Sequence, residues 1–156
     1  MARIRTIKPD FFKHEGLLAA EVESGLPLRL GFIGLWTVAD KSGRFKWRPR
    51  AIKVEVFPYE DVDFSRVLDA LTTRGFIRHY ACGTEEYGMI PSWEKHQHIN
   101  NREIKSELPD ISTGKEIMHA SSTRRARDTR GREGKGKERM TNRQRRQRRL
   151  KNILRE

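Results

Sequence analysis

The stretch SRVLDALTTRGFIRHY, residues 65–80, decides how this chain is read. Together with Phe64, its residues Val67, Leu68 and Leu71 fall at i, i+3, i+4 and i+7, the single stripe of an amphipathic helix. Gly75 stands where a left-handed C-terminal cap is usually needed. Phe76 to Ala81 follow at once as a short run rich in strand-forming residues. The spacing therefore predicts a helix over 63–74 that turns directly into a strand.

Working outward, the upstream sequence supplies further helices. DFFKHEGLLAAE can form a first helix with Pro9 near its start, and ESGLP breaks it. LPLRLGFIGLWTVAD places Leu28, Phe32, Leu35, Trp36 and Ala39 on one stripe, widened by Leu30, Ile33 and Val38, as expected of a central buried helix. KSGRFKW reads as a turn at Gly43 followed by a short extended piece. RPRAIKVEVFP starts a helix at Pro49 and stops it at Pro58, with Ile52 and Val56 facing inward. Asp63 or Ser65 can cap the helix that follows.

Downstream, FIRHYA and YGMIPSW read as two strands around the loop CGTEE, a hairpin or wing. EKHQHINNREIKSELPD has no sustained period and reads as a departing extended arm. The order helix, helix, short strand, helix, helix, strand, strand is the order of a winged helix-turn-helix, with 49–57 and 63–74 as the paired helices. The expected fold class is α+β and mostly helical, a winged helix-turn-helix followed by a disordered or helical basic tail. A small α+β domain without any nucleic-acid role has the same elements.

Charge divides the chain of 156 residues. Residues 1–110 hold 17 Lys+Arg against 16 Asp+Glu, whereas residues 111–156 hold 16 against 5 and so carry +11 of the net +12. Every Trp, Phe and Tyr lies before residue 94, so the core must come from the first part. The expected organisation is a DNA-binding domain over 1–95, an arm over 96–110 and an Arg-rich tail over 111–156. Beyond the core, HASSTRRARDTRGREGKGKER is of low complexity and cannot bury a core, while TNRQRRQRRLKNILRE can become helical once an anion neutralises its arginines. The lone Cys82 excludes an internal disulfide framework and fits a reducing cytosol. No apolar run reaches the roughly 20 residues that span a bilayer. The expected location is the cytoplasm of a bacterial host.

In a winged helix the second helix of the pair enters the major groove. Opposite its apolar stripe lie Arg66, Asp69, Ala70 and Thr73. Arg66 suits a bidentate guanine contact, and Ala70 or Thr73 a thymine methyl. The competing reading is a solvated face with an Arg66–Asp69 ion pair. KSGRFKWRPRAIK adds Lys41, Arg44, Lys46, Arg48, Arg50 and Lys53 with no acid between 41 and 54, and with Phe45 and Trp47 interleaved. Such a patch suits phosphates, which position a duplex without reading it. The expected DNA-binding set is Lys46, Arg48, Arg50, Lys53, Ser65, Arg66, Ala70, Thr73, Arg74 and Arg78, with Arg145, Arg146, Arg148 and Arg149 in the tail. Double-stranded DNA is the expected partner, with RNA or single-stranded DNA as further ligands of the tail. Asp61, Asp63 and Asp69 oppose phosphate binding and leave open a protein-interaction module tethered by the tail.

Nothing in the sequence suggests an enzyme or a cofactor. HQH at 96–98, with His79 and Cys82, lacks the paired spacing of a zinc site, and HQH reads as part of a polar linker. There is no phosphate-binding glycine loop and no nucleophile motif.

The strings IRTIKPDFF, LGFIGLWTVADKSGRFKWRPRAIKVEVFP, VLDALTTRGFIRHY and YGMIPSWEKHQHINNREIKSELP, in that order over about residues 3–109, resemble the N-terminal domain of phage and prophage replication initiators, the replisome organisers. The most idiosyncratic pieces are IRTIKP, GLW..AD..GR, the late FP and W.KHQ.I. The resemblance implies a winged-helix domain that binds a phage origin and helps to recruit host helicase or loader proteins. The family usually continues into a longer C-terminal region, and the basic tail is not part of the resemblance. Origin binding is thus the better supported expectation. A winged-helix transcriptional regulator is the alternative with the same fold.

Overall fold

The computed structural model describes residues 3–119, and all that follows about structure concerns them. A 3-10 turn, Pro9–Lys13, leads into α1, Glu15–Ser24. The single first helix expected from sequence is divided at His14. Its Nδ1 accepts the Leu17 N–H at 3.1 Å, so His14 caps a new helix instead of continuing an old one. Gly25, in the left-handed region with φ 64°, ends α1.

The central helix α2, Leu28–Val38, lies in the core as its stripe requires. Leu28, Phe32, Leu35, Trp36 and the following Ala39 are all buried. α3, Pro49–Val56, packs against α2 and against α4, Phe64–Thr73. The α2–α3 approach is close because Gly34 lacks a side chain: a Cβ there would stand 2.2 Å from Val56 Cγ1. Phe64, Val67, Leu68 and Leu71 of α4 are no more than 2% exposed, so the stripe read from sequence is the inner face of a helix. Removing such side chains from water is the main favourable term in folding.

The sheet has four antiparallel strands in the order β1-β3-β2-β4. They are β1, Arg44–Lys46; β2, Arg78–Cys82; β3, Glu85–Met89; and β4, Lys115–Glu116. The hairpin is tighter than the five-residue loop read from CGTEE. Cys82 pairs with Glu85, and Gly83 supplies the positive φ of 64° at the first of two turn residues. Ile77 and the β2 residue Tyr80 are buried, as is Phe45 of β1. The protein is α+β, with most of its helices preceding a small antiparallel sheet that is built largely from the second half of the domain.

Residues 97–110 are irregular, as an arm would be, but they do not depart. After the short α5, Trp93–His96, the chain returns along the domain. Gln97 is buried and forms a reciprocal pair with the Thr6 backbone, accepting its N–H and donating to its carbonyl, each at 3.0 Å. Arg44 donates to the Leu108 carbonyl at 2.9 Å, and the Tyr80 hydroxyl to the Pro109 carbonyl at 2.7 Å. A further 3-10 turn, Ile111–Thr113, and β4 follow, within the stretch whose composition reads as tail. The reading of HQH as polar linker is corrected at its middle residue. Burial of a single Gln against one backbone amide leaves no periodic trace in sequence. The low-complexity and Arg-rich segments from 120 onward, including Arg145, Arg146, Arg148 and Arg149, lie outside the described residues.

Candidate nucleic-acid interface

The candidate site is drawn from the outward residues of β1, α3 and α4. β1 passes into α3 through Trp47 and Arg48. The Trp47 N–H donates to the Glu86 carbonyl at 2.9 Å, so the pairing of β1 with β3 extends one residue beyond the strand. This brings the hairpin tip beside the start of α3, where Arg48 meets Glu85 at 3.4 Å. Pro49 occupies the first turn of α3, where its missing N–H costs nothing. Asp63 caps α4, its carboxylate accepting the Ser65 N–H at 3.0 Å.

The predicted residues divide into two groups. Lys46, Arg50 and Arg66 are exposed, Lys53 is half-buried, and none of these four side chains has an ion-pair partner among the described residues. Ser65 is exposed beside Arg66 in the first turn of α4. The others are engaged or turned inward. Arg48 faces Glu85, Arg74 pairs with Glu23, and Arg78 grips Glu116 through Nε at 2.8 Å and Nη2 at 2.6 Å. Glu116 correspondingly holds the Arg78 guanidinium above its ordinary range, and Arg78 holds the Glu116 carboxyl below its own. Ala70 packs partly against the core, and Thr73 is half-buried.

Other basic residues of the 41–53 patch point to the arm. Lys41 donates to the Glu103 carbonyl at 3.4 Å, and Arg44 pairs with Asp110. Among described arginines, Arg3, Arg5, Arg29, Arg44, Arg48, Arg74 and Arg78 all have acidic partners, while Arg50, Arg66 and Arg102 have none. Exposed Glu55, Glu60 and Asp61 lie on α3 and the α3–α4 connector, so the face is mixed in charge. The acids of the protein-interaction reading are themselves partly spent: Asp63 caps α4, and Asp69 contacts His119 Nδ1 at 3.2 Å. The Arg66–Asp69 pair of the solvated-face reading does not form.

Sequence reasoning missed a row of titratable groups beside this face. The Trp47 and His79 rings stack at 3.6 Å with an interplanar angle of 9°. His79 Nε2 lies 3.0 Å from Glu86, and His79 Nδ1 lies 3.0 Å from His119 Nε2. Burial pushes the His79 imidazole below its ordinary range, opposed by Glu86 and Asp69 and reinforced by His119. In the sequence His79 is a residue of the wing and a rejected zinc ligand, and nothing local links it to a partner 40 residues away.

Among the described residues no group of three His, Cys, Asp or Glu side chains could hold a metal ion, and no helix is long and apolar enough to cross a membrane. Neither a protein-family model, nor a curated protein, nor a solved structure matches this chain.

Proposed function

We propose that this chain binds double-stranded DNA as a winged-helix protein, with α3 and α4 as the helix pair, α4 as the groove helix and β2–β3 as the wing. The observation that carries the reading is the set of cations Lys46, Arg50, Lys53 and Arg66, which have no ion-pair partner among the described residues and lie on successive elements of a domain that neutralises most of its other described arginines. Lys46, Arg50 and Lys53 serve phosphates, and Arg66 reads a base edge from the first turn of α4. Arg74 and Arg78 are tied to Glu23 and Glu116 and contribute little.

With the face mixed in charge, sequence-independent affinity falls largely to the basic tail, which carries +11 over 111–156. RNA or single-stranded DNA is a further ligand of that tail. The resemblance to phage replication initiators makes a replication origin the site, the bacterial cytoplasm the location and a host helicase or its loader the next partner. The activity is binding, without catalysis.

The test is selection of preferred duplexes from a randomised pool by the full chain and by its Arg66→Ala variant. A defined site for the parent, bound about 1–3 kcal/mol more weakly by the variant, supports base reading by α4. Equal enrichment of all sequences by the parent overturns it.

A further inference from the structure

A cavity of about 760 Å³ opens between the 3-10 turn Pro9–Lys13, α2 and α5. Pockets of this size hold small organic ligands. Its wall is mainly aromatic: Phe11 from the turn, Phe32 and Trp36 one helical turn apart on α2, Phe76 after α4, and Trp93 of α5. None of Lys46, Arg50, Lys53 and Arg66 takes part in it.

Two tryptophans stand on this wall, and their N–H groups fare differently. Trp93 donates to the Lys41 carbonyl at 2.9 Å. Trp36 is 6% exposed, its indole nitrogen is shut off from water, and it meets no acceptor among the described residues. Phe11 and Phe32 pack on it at 5.2 and 5.3 Å, inclined at 75° and 70°, and offer at most a ring face, which is a weak acceptor. A buried indole usually finds a partner, because an unbonded proton forfeits the hydrogen bond it had in water. Among the described residues, the Trp36 nitrogen is the one buried side-chain polar atom left without a partner.

The charges on the wall favour an anion. Lys8 and Lys95 are exposed, and neither has an ion-pair partner among the described residues. Lys8 Nζ donates to the Lys95 carbonyl at 2.6 Å, which holds the two residues side by side. Arg74 is neutralised by Glu23. Asp10 is the one acid on the wall, and the two lysines outnumber it.

We propose that this cavity binds a small planar aromatic anion. Its flat body lies among the rings, an acceptor on its edge takes the Trp36 N–H, and its anionic group rests on Lys8 and Lys95. Each part of the ligand answers one part of the wall. An indole nitrogen only donates, so the ligand edge must accept. Aromatic rings favour another ring, stacked with an offset or met edge-on. Phe11, half-buried on its turn, moves aside to admit the acceptor. A nucleotide and an aromatic carboxylic acid share this chemistry. The inference does not depend on DNA binding.

It is tested on the full chain with anilinonaphthalene sulfonate, a planar aromatic anion, read through the indole N–H signals in two-dimensional NMR. The chain has three tryptophans, and Trp36→Phe assigns the signal that matters. That signal is expected to move to lower field and to saturate, while the signal of Trp47, which lies outside the cavity, stays in place. Replacing Lys8 and Lys95 together by Gln is expected to weaken binding about fivefold. The same double variant should bind phenylnaphthylamine, the probe without its charge, as the parent does. Trp36→Phe, followed through the Trp93 signal, should also weaken binding of the sulfonate about fivefold. Adenosine monophosphate and indole carboxylate are then added as competitors. Displacement by the first assigns the site to nucleotides, and displacement by the second alone assigns it to aromatic acids. An unmoved Trp36 signal, a double variant that binds the sulfonate as tightly as the parent, or displacement by neither competitor overturns the proposal.

Discussion

The guanidinium of Arg5 grips the carboxylate of Glu103, 98 positions later, donating from Nη1 at 2.8 Å and from Nη2 at 2.7 Å. The same side chain, 4% exposed, donates from Nε to the Trp36 carbonyl at 3.1 Å and from Nη2 to the Ala39 carbonyl at 2.9 Å. Arg5 thus satisfies carbonyls at the end of α2, where a cation also suits the helix dipole, and ties the N-terminal segment to the returning arm.

Removing Glu103 leaves a buried guanidinium without its counter-charge. Glu103→Ala should lower stability by about 3 kcal/mol in chemical denaturation. A double-mutant cycle with Arg5→Ala checks that the effect belongs to the pair, because the second substitution should then cost much less than it does alone.

The same pair sets part of the acid limb of stability. Hydrogen bonds from Arg5, with the charges of Arg5, Arg3 and Lys41, hold the Glu103 carboxyl below its ordinary range despite its burial. The folded chain therefore binds that proton less readily than the unfolded chain. Its contribution is complete above the ordinary carboxylate range and is lost as pH falls through the lowered one. Denaturation midpoints measured against pH should fall less steeply in acid for Glu103→Gln than for the parent.

Tyr80 anchors the arm from the sheet side. Its phenol is fully buried and pushed up to about 12, mainly by burial, and donates to the Pro109 carbonyl at 2.7 Å. Tyr80→Phe keeps the ring but strands that carbonyl, and should cost about 1–2 kcal/mol. Amide exchange should quicken in residues 108–116 more than in α2.

The inner face of α4 was legible in the sequence, and its consequence is direct. Leu71→Asp places an unpaired charge at a fully buried position and should abolish cooperative unfolding. Ser65→Ala, on the exposed first turn, should change stability by no more than about 0.5 kcal/mol.

What could be read from sequence was what repeats locally. The α2 and α4 stripes, Pro49 at the start of α3 and the Gly75 stop all follow from spacing within one element. Gly75 does adopt a positive φ, at 78°. The return of the arm was not legible, because each suture is a single long-range interaction: Gln97 to Thr6, Glu103 to Arg5, Pro109 to Tyr80. For the same reason the sequence overcounted available cations. Arg44, Arg74 and Arg78 look free along the chain and are paired across it. The Glu86–His79–His119–Asp69 row brings together residues from four separate segments, and no spacing rule connects them. Conversely, several idiosyncratic strings behind the family resemblance now have structural work: Arg5 in IRTIKP, buried Asp40 accepting the Ser42 and Arg44 N–H groups in GLW..AD..GR, and Trp93 with Gln97 in W.KHQ.I.

Lys46, Arg50, Lys53 and Arg66 are proposed to form a face for duplex DNA. It is tested most directly by measuring the affinity of the full chain for a labelled duplex over a series of salt concentrations, for the parent and for a variant with all four replaced by Gln. The variant is expected to stay folded, to bind more weakly at every salt concentration, and to show a slope of log affinity against log salt that is shallower by roughly 0.9 for each phosphate no longer neutralised. An unchanged affinity and slope in the folded variant would contradict it and assign any DNA binding to the tail alone.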